Sequence, residues 1–380
     1  MSPIPATPAD EDTLDAGPRA AASDAGASPP LRPPPEPLEP HAELPPEPVA
    51  SVAAEHSLPG LGLEAVWTWP KAASGAPEVA NVSAPGLEAA LAATERRWHL
   101  EVATAGRLRV SFDAPSLPLA QGAELRMREE RYGSVVLWPG GSQYRVIQAG
   151  AMRTVLEELR VDAMPLGDGK VTAKAKGILL GYASRTIEVQ TPLATLELEL
   201  AEVREAGDGG PLLCRLLVEL AGADPSSAAC APFELPLRAD YHWTEGDGAR
   251  FEVQSVERRE ALEAEGFTMP PEGARRMRSG LPEPDEPILP NAALRALRAG
   301  DATSPEGPAT AANRTDRAAY VLVDGVPVGL VAPGRERRLG VLRAGHYRVQ
   351  WRSFLGRDVE PEVELALPGR IVREPERAAP

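Results

Sequence analysis

Cys214 and Cys230 are the residues whose type and spacing most directly suggest chemistry, because the chain contains no other cysteine. A bond between them would close a loop of about 17 residues, which stabilises a fold by about 3 kcal/mol in the chain-entropy model. This spacing is typical of an exported protein with one disulfide. The alternative is that both are small buried side chains of a cytoplasmic protein. Neither has a second ligand at zinc-site spacing, so we predict no metal and no cofactor.

The five histidines form no metal-binding pattern, since none pairs with another at ligand spacing and HExxH is absent. His242 is the candidate functional histidine, and Asp240, Glu245 and Asp247 are close to it in sequence. If these groups lined a cleft, an enzyme of the hydrolase or transferase class would be favoured. The ordinary interpretation of His242 is a residue at the wet end of a strand, and we predict no catalytic residue.

The segment Gly167-Asp168-Gly169-Lys170-Val171-Thr172 has the composition of a phosphate-binding loop but not its pattern. That loop needs a glycine at the position of Met164 and a hydroxyl side chain at the position of Val171. We interpret the segment as a turn that leads into a strand.

Trp138, Trp243 and Trp351 all fall at the ends of predicted strands. Packing in the core or at its rim is the usual role of such residues. Together with His242, they could instead form a shared aromatic surface for a ligand or partner.

The formal net charge is −15, and residues 1–60 hold ten acidic groups against two arginines. An acidic chain without a basic stripe is a poor candidate for binding phosphate backbones, so we predict no nucleic-acid partner. No stretch reaches eighteen apolar residues, which predicts no membrane-spanning helix. Four lysines against 36 arginines, with abundant Ala, Gly and Pro, are typical of a GC-rich bacterial genome.

Residues 1–60 are predicted to form a disordered, acidic, proline-rich tether. Proline fixes φ and donates no backbone hydrogen bond, so the run from Pro29 to Pro37 favours an extended polyproline II conformation. A tail of this kind could alternatively recruit partners. The first residues lack the basic and apolar regions of a signal peptide. Either the protein is cytoplasmic, or its export signal is missing from this chain.

Residues 99–267 alternate polar and apolar side chains, as in Thr195–Leu200 and Phe233–Tyr241, which predicts antiparallel strands with one buried face. Pro236 lies on the outward phase and predicts an edge strand. Pro139-Gly140-Gly141-Ser142 predicts a hairpin. Apolar residues at helical spacing predict helices near 150–160 and 211–222. Two further segments are predicted to be irregular. Residues 61–98 form a transitional segment with a short helix between Leu87 and Trp98, and residues 268–312 form a linker.

The C-terminal residues 313–374 contain five predicted short strands, and Asp324-Gly325 predicts a tight turn. Two stretches of this region together resemble the PEGA domain. They are Tyr320-Val321-Leu322-Val323-Asp324-Gly325-Val326-Pro327-Val328-Gly329 and, after it, Leu342-Arg343-Ala344-Gly345-His346-Tyr347-Arg348-Val349. The resemblance covers about sixty residues and implies a small β-sandwich for binding or structure in bacterial envelope proteins. The usual Thr-Pro after the second glycine is replaced by Leu330-Val331-Ala332-Pro333.

The sequence therefore predicts a mainly-β protein. It comprises the tether, an antiparallel β domain with two or three packed helices, and a small C-terminal β-sandwich. We expect a non-catalytic bacterial envelope protein, periplasmic or on the cell surface, that binds a protein or a cell-wall component. The alternatives are a cytoplasmic protein that recruits partners through its tail, and an enzyme with its site in 99–267.

Overall fold

The computed structural model describes residues 57–68, 94–116, 119–128, 131–148, 151–161, 167–224, 229–244, 248–268, 273–282, 288–298, 302–353 and 360–375. The predicted tether, apart from residues 57–60, lies outside these ranges. So does most of the helix predicted between Leu87 and Trp98.

Twelve strands of the described chain form one large sheet in the order β12-β6-β5-β4-β3-β2-β1-β11-β10-β9-β8-β7. Neighbouring strands are antiparallel except for the parallel pair β12 and β6. The bounds are β1 Ser57–Thr68, β2 Arg96–Ala103, β3 Arg107–Phe112, β4 Glu124–Arg128, β5 Arg131–Leu137, β6 Gln143–Ile147, β7 Lys170–Leu179, β8 Tyr182–Gln190, β9 Ala194–Glu202, β10 Glu234–Trp243, β11 Gly248–Glu263 and β12 Arg275–Arg276. The predicted antiparallel, mainly-β class is confirmed.

Alternation of side chains divides the sheet into a buried face and a wet face. Leu196, Leu198 and Leu200 of β9 point to the buried face and are at most 1% exposed. Burying each such leucine stabilises the fold by about 1.5–3 kcal/mol. The residues between them are polar, which is the pattern that a half-buried antiparallel strand requires.

Two helices pack on the buried face, α1 at Met152–Glu158 and α2 at Gly209–Leu220. The side chains of α2 that join the main core recur at helical spacing: Leu212, Leu213, Leu216, Leu217 and Leu220. This apolar stripe explains why α2 lies against the strands. Short 3-10 helices follow β9 at Arg204–Ala206 and β11 at Ala264–Phe267.

The boundary predicted at residue 99 needs correction, because β1 and β2 begin before it. β1, from Ser57 to Thr68, lies in the middle of the sheet between β2 and β11. The predicted transitional segment 61–98 therefore contains a central strand, and Arg96–Trp98 is strand rather than helix. Pro59, Gly60 and Gly62 weaken the local strand signal, and pairing with distant residues overrides it.

The edge position predicted from Pro236 is wrong, because β10 lies between β9 and β11. Pairing of β10 with β11 begins only at Arg238. The register with β9 shifts between Pro236 and Arg238. A proline is tolerated beside such a bulge because the regular ladder is interrupted there.

The C-terminal residues form a small β-sandwich, which confirms that part of the predicted fold. One sheet has the order β16-β13-β19 and the other β15-β14-β17-β18, and apolar residues of both share one core. The bounds are β13 Glu306–Asn313, β14 Ala319–Val323, β15 Val326–Val331, β16 Glu336–Arg343, β17 Gly345–Ser353, β18 Val363–Leu367 and β19 Arg370–Arg373.

The predicted linker 268–312 also needs correction. It contains helix α3 at Asn291–Ala296 and most of strand β13. Leu294 and Ala309 from these elements belong to the sandwich core. β13 consists largely of alanine, glycine and proline, which are poor strand formers, so only its pairing with β16 and β19 makes it a strand.

Both predicted hairpin turns are confirmed. Asp324 and Gly325 join β14 to β15 with φ values of 50° and 77°. These positive values are those of the tight turn that matches the twist of two strands. The turn at Pro139–Ser142 joins β5 to β6.

Candidate functional site

The four residues proposed as a shared surface lie in different environments. Trp243 is buried and His242 is exposed, because consecutive residues of β10 point to opposite faces. Trp351 belongs to the core of the small sandwich. Trp138 follows β5 and is half-buried, six strands from β10 in the order of the sheet.

Trp243 instead joins an aromatic row on the buried face of the large sheet. Its ring stacks on Tyr241 at 5.4 Å, and Tyr241 lies 5.3 Å from Trp67. Trp67 stacks on Trp98 at 5.6 Å with an interplanar angle of 4°, and Trp98 meets Phe112 edge-on at 5.3 Å. Each such pair contributes about 0.5–1.5 kcal/mol beyond the burial of area. The row therefore ties together strands that are distant in sequence.

Two polar groups of this aromatic row donate hydrogen bonds to protein acceptors, and a third has no acceptor within the described residues. Trp98 donates its indole N–H to Ser116 Oγ at 2.6 Å. Tyr241 donates its hydroxyl to the carbonyl of Leu217 in α2 at 2.8 Å, and burial raises the pKa of Tyr241. In the described part of the chain, no partner accepts the buried indole N–H of Trp243. Trp67, Trp98 and Tyr241 were not predicted as site residues, because the row forms only when β1, which carries Trp67, lies between β2 and β11.

Cys214 and Cys230 form a disulfide with their Cα atoms 6.2 Å apart and a sequence separation of 16. Cys214 lies in α2 and is 2% exposed, and Cys230 lies on the chain that leads into β10. The bond therefore ties the helix on the buried face to a strand of the sheet.

The chain beside the disulfide is further fixed by Glu234. Its carboxylate accepts two hydrogen bonds from Arg185 of β8 and one from the backbone N–H of Ala231. Burial by itself raises the pKa of Glu234, but these hydrogen bonds outweigh it and the net pKa is lowered. Arg185 also donates to the carbonyl of Ala229. The segment that carries Cys230 is thus held at both ends.

Glu219 of α2 is a buried carboxylate at the contact between the two helices. Its Oε1 accepts the backbone N–H of Met152, the first residue of α1, at 2.9 Å. Burial raises the pKa of Glu219 to about 7, the nearby Asp224 adds to the rise, and the hydrogen bond opposes it. Glu219 therefore links the start of α1 to α2.

His99 lies on the wet face of the sheet between two carboxylates. Its Nδ1 is 2.6 Å from Glu64 Oε1, and its Nε2 is 2.6 Å from Asp113 Oδ2. Both contacts need an N–H on the ring, so they are those of the imidazolium. Partial burial lowers the pKa of His99, but the hydrogen bonds to Asp113 and Glu64 raise it more, and the net pKa is raised. An imidazolium held in this way has no free nitrogen to act as a base.

Two other carboxylates near these strands are also paired. Asp240 accepts from Arg238 at 2.7 Å and from Arg250. Glu124 accepts from Arg109 and Arg126. Glu245 and Asp247, proposed beside His242, lie outside the described residues. Within the described ranges, no group of three or more His, Cys, Asp or Glu side chains could hold a metal ion.

The glycines before β7 have a structural role. Gly167 donates its N–H to Gly222 after α2 at 3.0 Å and accepts that of Asp224. A Cβ on Gly169 would lie 3.0 Å from both Ala223 and Val189. The segment 167–169 is thus a close-packed turn into a strand, as the sequence analysis interpreted it.

No protein-family model and no curated protein matches the chain. Among solved structures, PNGF-II is similar over 69% of this chain and 42% of its own length, at 8% identity and a TM-score of 0.31. This chain thus spans less than half the length of PNGF-II.

Two smaller solved structures are similar over most of their own length. A putative outer membrane lipoprotein-sorting protein domain from Vibrio parahaemolyticus matches over 55% of this chain and 89% of its own, at 8% identity and a TM-score of 0.25. A LolA superfamily protein from Nitrosomonas europaea matches over 56% and 90%, at 9% identity and a TM-score of 0.22. Likenesses this distant say nothing about ligand or activity.

Proposed function

We propose that this chain is a non-catalytic binding or scaffold protein of the bacterial cell envelope, in the periplasm or at the cell surface. The observation that carries the proposal is the disulfide between Cys214 and Cys230. Structural disulfides form and persist in oxidising compartments, whereas cytoplasmic thiols are kept reduced. No helix of the described chain is long and apolar enough to cross a membrane.

The use of the titratable groups supports a binding role over a catalytic one. A general base needs a free nitrogen or oxygen near the reacting atom. Instead, His99 is held by two carboxylates and Asp240 by two arginines. These side chains stabilise the strands of the large sheet.

The C-terminal sandwich is proposed to be a PEGA-like module. Its support is the Asp324-Gly325 hairpin turn between β14 and β15, and the strand β17 that carries the Tyr347-Arg348-Val349 part of the motif. Modules of this kind would add a second binding or spacing unit to the large sheet. The partner is a protein or a cell-wall component.

Fractionation of cells that express the endogenous protein tests the compartment. Spheroplasts and intact cells would be treated with an added protease and probed with an antibody against the folded chain. We expect the protein in the periplasmic fraction, or degraded when protease reaches the outside of the inner membrane. A cytoplasmic marker protein serves as the control. Recovery with that marker, protected until the cells are lysed, would rule out the envelope proposal.

A further inference from the structure

Strand β7 forms an open edge of the large sheet. In the described chain its one neighbour is β8, and it stands last in the strand order. Nine of its ten residues are exposed. An edge of ten residues is about 33 Å long, and roughly half of its backbone N–H and C=O groups point away from the neighbouring strand. Such an edge is a template for pairing with another extended chain.

The edge is held in place at both ends. Its start is anchored by the backbone hydrogen bonds that join Gly167 to Gly222 and Asp224. Its end is fixed by the two-residue turn Leu180-Gly181, with φ values of 49° and 84°, which leads into β8. A strand fixed in this way loses little conformational entropy when a partner pairs with it.

Exposed apolar side chains cluster at the same edge. Among described residues, five large apolar side chains are exposed, and Val171, Ile178 (79%) and Leu180 belong to the β7–β8 hairpin. Phe233 is also exposed, but it precedes β10, three strands from β7, and is not part of this edge. Apolar groups gathered in this manner mark a binding surface.

Leu180 also has a backbone conformation that glycine or asparagine would adopt with less strain. Its φ value is 49°. In the Leu180-Gly181 turn the first position is usually asparagine, aspartate or glycine. Leu180 is 45% exposed, which leaves much of its side chain accessible for a contact outside the chain.

The charge of β7 determines which partner fits. Three of the four lysines of the chain are Lys170, Lys174 and Lys176. Lys174 is paired with Glu188 at 2.7 Å. A second copy of this chain paired through β7 would bring lysines against lysines, and like charges across a strand pair are destabilising. An acidic strand has the complementary charge.

We propose that the β7 edge docks an extended acidic segment of another protein, with carboxylates on both of its faces, as an added strand. The register shift between Ala173 and Ala175 places Lys170 and Lys176 on opposite faces of β7, so each lysine would contact carboxylates on its own face. Ile178 and Leu180 would cover apolar side chains of the segment. Main-chain hydrogen bonds supply affinity in this mode, and alternate side chains supply specificity. The inference rests on the proposed binding function, but its test does not depend on the compartment.

The test uses the full chain and a fluorescent peptide of Glu-Glu-Val repeats, which as a strand carries glutamate on both faces, and binding is followed by anisotropy. We expect saturable binding that weakens at least tenfold when salt is raised from about 50 mM to about 500 mM. A peptide N-methylated at every second residue, which cannot complete the ladder, is expected to bind at least tenfold more weakly. A lysine–valine peptide is expected not to bind.

Variants then locate the site. The double variant Lys170→Glu/Lys176→Glu is expected to lose at least tenfold in affinity. The matched control Arg258→Glu/Arg259→Glu changes the charge equally on β11, four strands or about 19 Å away, and is expected to change affinity less than twofold. Circular dichroism checks that each variant is folded.

Three results would overturn the proposal. The first is the absence of binding by the wild-type chain. The second is equal binding of the N-methylated peptide, or equal loss in the two double variants. The third is a wild-type dimer in sedimentation whose formation displaces the peptide, which would assign the edge to a second copy. None of these results would bear on the fractionation test.

Discussion

His99 has both ring nitrogens 2.6 Å from a carboxylate oxygen, one of Glu64 and one of Asp113. The ion pairs therefore stabilise the fold below pH about 6.5, where the unfolded chain is also protonated, and this stabilisation is lost as pH rises through the raised pKa. We expect an NMR titration to place the pKa of His99 above about 6.5, and Asp113→Asn to lower it. A wild-type pKa below that value would contradict the ion-pair assignment.

Glu219 predicts a second pH dependence, because burial raises its pKa from 4.5 to about 7. The folded state then binds more protons than the unfolded state between these values, so stability falls as pH rises through this window. Glu219→Gln keeps an acceptor for the N–H of Met152 and removes the charge. We expect it to be more stable than wild type above pH 7, by up to about 3 kcal/mol, and to differ little near pH 4.5.

Urea unfolding at several pH values measures this difference. Glu197→Gln, on the exposed side of β9, provides a control in which a carboxylate is removed outside the core. Equal stability of the Glu219→Gln variant and wild type at pH 8 would show that Glu219 is not buried in a costly charged form.

At the scale of elements, the β7–β8 hairpin is expected to be less stable than it would be with a turn residue that favours a positive φ at position 180. Leu180 has a φ of 49°, a conformation that costs a non-glycine residue about 1–2 kcal/mol. Asparagine reduces this cost and suits the turn, so Leu180→Asn is expected to raise the free energy of unfolding by about 1 kcal/mol. Leu180→Ala, which keeps the unfavourable conformation, is the control. A loss of stability in Leu180→Asn would mean that Leu180 packs on the fold.

The disulfide adds a covalent link between helix α2 and the chain that leads into β10. With a sequence separation of 16, the bond constrains the unfolded chain by about 3 kcal/mol. We expect reduction with dithiothreitol to lower the free energy of unfolding in urea by that amount. Cys214→Ala/Cys230→Ala should match the reduced wild type and be insensitive to reductant, apart from the small cavity at Cys214. An unchanged unfolding midpoint after confirmed reduction would contradict this role.

Elements with a strong local pattern could be predicted from the sequence. The leucine alternation of β9, the apolar spacing of α2 and the Asp324-Gly325 turn all specify their structure within a few residues. β13 could not be predicted because glycine, proline and alanine dominate it, and β1 could not because Pro59, Gly60 and Gly62 interrupt its apolar pattern. Partners far away in sequence make both segments strands. The edge expected at Pro236 failed because a local rule about proline cannot detect a bulge.

The candidate site shows the same division. The pairing of two lone cysteines could be predicted because it depends on their number and spacing. The row from Trp243 to Trp98 could not, since it requires the strand order of the large sheet. The β7 edge was missed as well. Its alternating lysines predict a strand, but nothing local shows that no second neighbour covers it.

At the scale of the whole molecule, the described chain consists of a large, mostly antiparallel sheet and a small sandwich. The disulfide is the feature that links this fold to a compartment. The envelope account and the cytoplasmic alternative therefore differ most directly in the state of Cys214 and Cys230 inside living cells.

That state is measured by quenching cells with acid and then labelling free thiols with a polyethylene glycol maleimide. Each free thiol shifts the protein on a denaturing gel, and a sample reduced before labelling marks the doubly shifted position. We predict that the endogenous protein stays unshifted unless it is first reduced, as expected for an oxidised pair. Two labelled thiols in the unreduced sample would contradict the envelope proposal.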